Sequence, residues 1–219
     1  MKEPYLELYK RINGFKAYVV DGDLIRTEKD IEFTNFGQHY RHSYIPKNEL
    51  WLDDTAPQGR DEYKYYIQHM LIEHSLMSKG ISYNKASDMA NKVEKVARQR
   101  DIEDRPIHKK KIGKIGKLNI WLVEGEQVRD KLDTEFTMGG HDLAYRYIPK
   151  DQVWIDDSLR QEERPPVILH EVYEREKMSQ GEGYEEAHKE ASGVEKKARK
   201  RKGWRRLLPI SLPGIKKSK

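Results

Sequence analysis

The residues best suited to chemistry stand together in Val167-Ile168-Leu169-His170-Glu171-Val172-Tyr173-Glu174. His170 and Glu174 are four positions apart, so a helix would set both on one face, a turn apart. Imidazole nitrogen and carboxylate oxygen both bind zinc at about 2.0–2.2 Å. A second periodic segment follows Gly181, with Tyr184, Ala187, His188, Ala191 and Val194 on one helical stripe. If this helix folds back, His188 becomes a third ligand. Three protein ligands and a fourth place for water are the composition of a catalytic zinc site. Glu171, beside His170, is where a general base would take a proton from that water.

The chain carries an internal control for this reading. Residues 15–54 align without a gap on 118–157, and 69–101 on 170–202. Shared residues include Gly22/Gly125, Arg26/Arg129, Tyr44-Ile45-Pro46-Lys47/Tyr147-Ile148-Pro149-Lys150, Trp51/Trp154 and Asp53-Asp54/Asp156-Asp157. The first copy keeps His69, Glu73 and Glu94 opposite His170, Glu174 and Glu195, but has Met70 for Glu171 and Ser87 for His188. The shared His–Glu–Glu set is therefore open to a plain reading, a buried polar packing cluster, with Glu195 inside it or as a further ligand. Metal chemistry needs the residues that only the second copy has. His141, in Thr137-Met138-Gly139-Gly140-His141-Asp142, is another of these, since the first copy has Gln38. It reads as a surface-loop histidine, with a metal ligand or transition-state donor as alternatives. The paired aspartates, present in both copies, read as helix caps or turn residues.

A duplication of this length implies two units of about 100 residues each. The expected boundaries are 1–107 for a degenerate first repeat, 108–202 for the metal-binding repeat and 203–219 for a basic tail. Within each repeat, strands are expected at 15–20 and 118–123, followed by a hairpin turn at Asp21-Gly22-Asp23 or Glu124-Gly125-Glu126. Further strands are expected at 31–34 and 134–137, at 43–46 and 146–149, and at 49–52 and 152–155. Helices are expected over 61–79, 83–101, 162–179 and 184–202. Gly80 and Gly181 suit the intervening C-caps, and Pro165-Pro166 suits a first helical turn. The pattern is α+β, each unit a small antiparallel sheet followed by two helices. The two copies are expected to pair as a pseudo-dimer within one chain.

The order of Gln152-Val153-Trp154-Ile155-Asp156-Asp157 and the His170-Glu171 helix resembles the zincin metallopeptidases, in which a strand precedes a helix bearing His-Glu-x-x-His. The resemblance covers about 150–190 and departs at Glu174, where the family has its second histidine. It implies His170, Glu174 and His188 as zinc ligands, Glu171 as general base and a peptide or protein as substrate.

Net charge is +5, yet residues 196–219 hold 11 Lys/Arg and no Asp/Glu, leaving a body with 31 basic and 37 acidic residues. Lys200, Arg201, Lys202, Trp204, Arg205 and Arg206 could lay charge and a stacking ring along nucleic acid or another polyanion. This gives the alternative function, a non-catalytic structural or binding protein acting through its tail. No stretch approaches the roughly 20 apolar residues of a membrane span, and the first residues lack the apolar run of a signal peptide. With no cysteine, a reducing, cytoplasmic setting is expected. Phosphate-binding glycine loops, a G-x-S-x-G elbow and a nucleophilic cysteine are absent from the sequence, which argues against those classes of hydrolase.

Overall fold

The computed structural model describes residues 3–54, 62–102 and 106–200. In the first repeat, β1 (Tyr5–Ile12) turns through Asn13 and Gly14, both at positive φ, into β2 (Phe15–Val20). Asn-Gly is the pair that such a two-residue turn favours. Helix α1 (Gly22–Glu28), β3 (Phe36–Gln38), β4 (Glu49–Asp53), α2 (Tyr63–Met77) and α3 (Tyr83–Asp101) follow. The second repeat runs β5 (Lys109–Ile115), β6 (Leu118–Val123), α4 (Gly125–Lys131), β7 (Gly139–His141), β8 (Gln152–Asp156), α5 (Arg164–Ser179) and α6 (Tyr184–Lys200). The protein is thus a tandem α+β duplication, each four-stranded sheet followed by two helices. Gly80 and Gly181, between the paired helices, take φ of 84° and 95°, a conformation that costs glycine little.

Sheet order is β1-β2-β4-β3 in one copy and β5-β6-β8-β7 in the other. The outer strand pairs are antiparallel, and the central pairs, β2 with β4 and β6 with β8, are parallel. A parallel pair needs a crossover between its strands. That explains the difference from the hairpin expected at Asp21-Gly22-Asp23. Asp21 instead caps α1, its side chain accepting the Leu24 N–H at 3.0 Å, and α1 begins the crossover. Gly22 passes so close to Asp53 that an added Cβ would lie 2.1 Å from its carboxylate; Gly125 stands in the same relation to Asp156. The strands expected at 31–34 and 134–137 form later, at 36–38 and 139–141. Phe33 is instead a core side chain with Ile25, Ile45 and Trp51. Residues 43–46 and 146–149 turn rather than extend, held by bonds such as Glu49 N–H to Pro46 C=O at 3.0 Å.

Alternation along the strands separates two faces. In the first copy, Ala17, Val19, Leu50 and Leu52 pack on Tyr63, Tyr66, Ile67 and Met70 of α2. In the second, Ile120, Val153 and Ile155 pack on Val167 and Ile168 of α5. Among the described residues, no helix is long and apolar enough to cross a membrane.

The described residues form two compact units, one from within 1–105 together with 126–135 and the other from 106–125 together with 136–200. Most of α4 therefore belongs with the first unit, not with its own repeat. The reason is ionic. Arg129 on α4 donates to Glu62 at 2.7 and 2.5 Å, and Asp130 accepts from Arg98 at 3.0 Å. Arg98 also reaches Glu62 at 2.8 Å. Fully buried guanidinium groups require such partners.

The glycine contacts give a direct test. Gly22→Ala and Gly125→Ala should each lower stability by about 1–3 kcal/mol through overpacking against the aspartate, read as a shift in the urea unfolding midpoint. Gly183→Ala, where an added Cβ meets nothing within 4 Å, should change it far less.

Candidate metal centre

Helix α5 carries His170, Glu171 and Glu174 inward, all buried. Pro165 and Pro166 occupy its first turn, and the turn at Gly181 returns α6 along it. His188 Nδ1 then lies 3.2 Å from His170 Nε2 and 2.6 Å from Glu174 Oε2. His170 Nε2 is 3.2 Å from the same oxygen. These three form a group able to hold a metal ion. Two imidazole protons can satisfy the carboxylate oxygen between the rings; with both nitrogens deprotonated, a cation would take all three lone pairs. Ligand atoms about 2.0–2.1 Å from a tetrahedral ion lie about 3.3 Å apart, so the triangle is slightly tighter than such a site. His188 is the most accessible of the three, its side chain 32% exposed.

Glu195 faces the other side of His170. Its Oε2 is 2.9 Å from His170 Nδ1, and its Oε1 accepts from Arg199 Nε and Nη2 at 2.9 and 2.7 Å. It therefore orients the imidazole from behind, leaving Nε2 for the centre, the usual arrangement behind a metal-binding histidine. Burial works against charge on His170, but hydrogen bonds to Glu174 and Glu195 hold its pKa well above the ordinary value. Burial likewise opposes charge on Glu174, yet hydrogen bonds from His141, His170 and His188 hold its pKa far below the carboxylate range.

His141 departs from the surface-loop expectation. It is fully buried on β7. Its Nδ1 accepts from the backbone N–H groups of Leu143 and Ala144 at 3.2 and 3.3 Å, so Nε2 bears the proton and donates to Glu174 Oε1 at 2.9 Å. A ring with this tautomer is a poor ligand through Nε2. His141, Glu171 and Glu174 also converge, but this hydrogen bonding makes His141 a support for Glu174. Gln38 does the same work in the first copy. Its Oε1 accepts the Tyr40 N–H at 2.7 Å and its Nε2 donates to Glu73 at 3.1 Å. The glycines before His141 serve close approach: a Cβ on Gly140 would lie 2.6 Å from the Tyr145 ring, and one on Gly139 3.1 Å from Glu171 Oε1.

Glu171 is buried beside this cluster, and burial pushes its pKa up to about 7. The paired aspartates do local work. Asp54 accepts the Gly22 N–H at 3.3 Å, Asp156 accepts the Ser158 N–H at 2.9 Å, and Asp53 forms a buried ion pair with Arg26.

Of the candidate polyanion contacts, Lys200 is exposed at the end of α6. Arg201, Lys202, Trp204, Arg205 and Arg206 lie outside the described residues. Arg199, within the same basic run, is almost fully buried against Glu195 and Glu163 and is not available to a polyanion. Two contributors escaped the sequence reading. One is Arg199, whose signal was its spacing of four from Glu195, repeated as Arg98 and Glu94. The other is Tyr184, whose ring stacks on His188 with centroids 5.5 Å apart; its place on the helix stripe was the only hint.

The first copy has the same frame without the third ligand. His69 Nδ1 is 2.8 Å from Glu94, His69 Nε2 is 3.5 Å from Glu73, and Arg98 holds Glu94 at 2.8 Å. Burial opposes charge on His69, but hydrogen bonds to Glu73 and Glu94 outweigh it and raise its pKa to about 9. A raised histidine pKa stabilises the fold fully below the unfolded value of about 6.5, and the contribution is lost as pH rises through 9. Stability should therefore fall by up to about 3 kcal/mol over that window, and His69→Gln should remove this part of the slope in urea titrations. Ser87→His should supply the missing ligand and raise metal stoichiometry by about one ion per chain, read by elemental mass spectrometry.

No family model, curated protein or solved structure matches this chain in comparisons of sequence and fold.

Proposed function

We propose that this chain is a zinc-dependent hydrolase acting on peptide bonds, with its site in the second repeat. One observation carries the reading. His170, Glu174 and His188 converge within hydrogen-bonding distance of one another, beside a buried glutamate whose pKa is raised to about 7. A zinc ion bound by these three would supply Lewis acidity, polarising a carbonyl and making water a stronger acid.

The protein's own groups account for the rest. Glu171, half ionised near neutral pH, can accept a proton from water and return it to a leaving amine, since a base works best with a pKa near the working pH. Glu195 and Arg199 fix the ring of His170, and His141 fixes the carboxylate of Glu174. The Tyr184 ring stacks on that of His188. Peptide as the substrate class is supported by the His-Glu-x-x-Glu helix following a strand, as in the zincins. Imidazole and carboxylate donors are ligands that zinc accepts.

Protein purified without chelator and supplied with zinc should hold about one ion per chain. His170→Ala and His188→Ala should each abolish this, measured by elemental mass spectrometry. Glu171→Gln should keep the ion and lose about 10²–10⁴-fold in cleavage of a peptide library. A parent protein that takes up no metal would sink the hydrolase reading and leave the cluster as packing.

A further inference from the structure

Among the described residues, the first unit carries an apolar stripe on the outer side of its helix pair whose counterpart positions in the second unit are largely polar. Met89, Val93 and Val96 on α3 are 50%, 40% and 50% exposed. With Lys92 and Arg100 they follow helical spacing along one stripe, about 17 Å from end to end at 1.5 Å per residue. A groove of about 370 Å³ runs beside them, lined by Gln68 of α2 and by Lys92, Val93, Val96, Ala97 and Arg100 of α3. The inward side of α3 is used differently: Ala86, Ala90, Glu94 and Arg98 are buried, and Arg98 and Asn91 make the contacts to Asp130 and Glu135.

The duplication provides the comparison. On α6 the positions of Met89, Lys92, Val93 and Val96 are Glu190, Gly193, Val194 and Lys197. There Glu190 pairs with Lys177 at 3.0 Å and accepts from Tyr173 at 3.1 Å. The same fold therefore closes this face with polar pairs in one copy and leaves it apolar in the other. The fold does not require exposed Met89 and Val96.

We propose that this groove docks an amphipathic helix with acidic margins from a partner protein. A third helix laid into the groove between two others buries an apolar stripe at the usual interaxial distance of about 8–10 Å. Charge selects the partner. Lys92 and Arg100 on the stripe and Lys95 beside it are exposed; Asp88 stands at its N-terminal end. A second copy of this chain docking through the same stripe would set these cations against their own kind. The chain's C-terminal segment, with 11 Lys/Arg and no Asp/Glu over 196–219, carries the wrong sign as well. Carboxylates beside an apolar face complement the site. This inference does not depend on the metal reading, since its residues are on the other repeat.

The test uses the full chain and a fluorescein-labelled, designed 18-residue helical peptide with leucines on one face and glutamates at its margins, followed by anisotropy. A scrambled peptide of the same composition controls for attraction to the basic tail. The designed peptide should bind more tightly than the scrambled one. Val96→Asp, at an exposed position, should weaken binding at least tenfold while leaving circular dichroism and unfolding midpoint unchanged. Lys92→Glu with Arg100→Glu should weaken the acidic peptide and strengthen a version with lysine margins. Equal binding of designed and scrambled peptides, or binding indifferent to Val96→Asp, would overturn the proposal. So would a dimer in sedimentation velocity that Val96→Asp dissolves, because the stripe would then belong to a second copy, and so would Val96-dependent binding to anionic vesicles.

Discussion

A buried imidazole held between two carboxylates is the interaction on which each repeat depends. In the second copy, Glu174 and Glu195 flank His170, and Arg199 holds the outer carboxylate. In the first, Glu73 and Glu94 flank His69, and Arg98 does the same. Charges this deep are tolerated only when every one is paired, and removing one member of such a set costs about 3–5 kcal/mol. The relay sets the relative position of the two helices: Glu174 and His170 are on α5, Glu195 and Arg199 on α6. A frame that must be rigid to be stable is also a frame that holds donor atoms still.

The sheet enters the relay from its edge. Strand β3 or β7 delivers one side chain, Gln38 or His141, that accepts a loop amide proton and donates to the helix carboxylate. Glutamine and histidine differ in type but present an acceptor and a donor at similar separation, so the exchange preserves the role. The residues that alter chemistry are elsewhere. His188 adds a third lone pair to the space between His170 and Glu174, and Glu171 places a second acid where the first copy has apolar Met70. Two changes on a shared frame thus separate a packing cluster from a candidate metal centre.

The second dependence is on close backbone approach. Gly22 and Gly125 let the segment after β2 or β6 run against an aspartate at the end of the parallel neighbour. Reading these glycines as hairpin turns put the chain reversal in the wrong place. The reversal lies upstream, at Asn13-Gly14, and the glycines belong to a crossover. Periodicity along a strand cannot distinguish these cases, because it reports which face is buried and says nothing about the direction of the neighbouring strand.

The sequence by itself determined the duplication, the α+β class, the four long helices to within a few residues and the shared helix face of His170 and Glu174. Each of these follows from a spacing along the chain: the repeat offset, the 3.6-residue period, or four positions along one helix face. That His188 meets His170 and Glu174 waited on the return of α6. Only the tertiary structure decided the parallel centre of each sheet, the inclusion of 126–135 in the first unit and the burial of His141 and Arg199. It also decided which nitrogen of each histidine faces which carboxylate. These depend on residues distant in sequence, such as Arg129 with Glu62 or His141 with Glu174, and no local pattern encodes the meeting of side chains that the fold alone brings together.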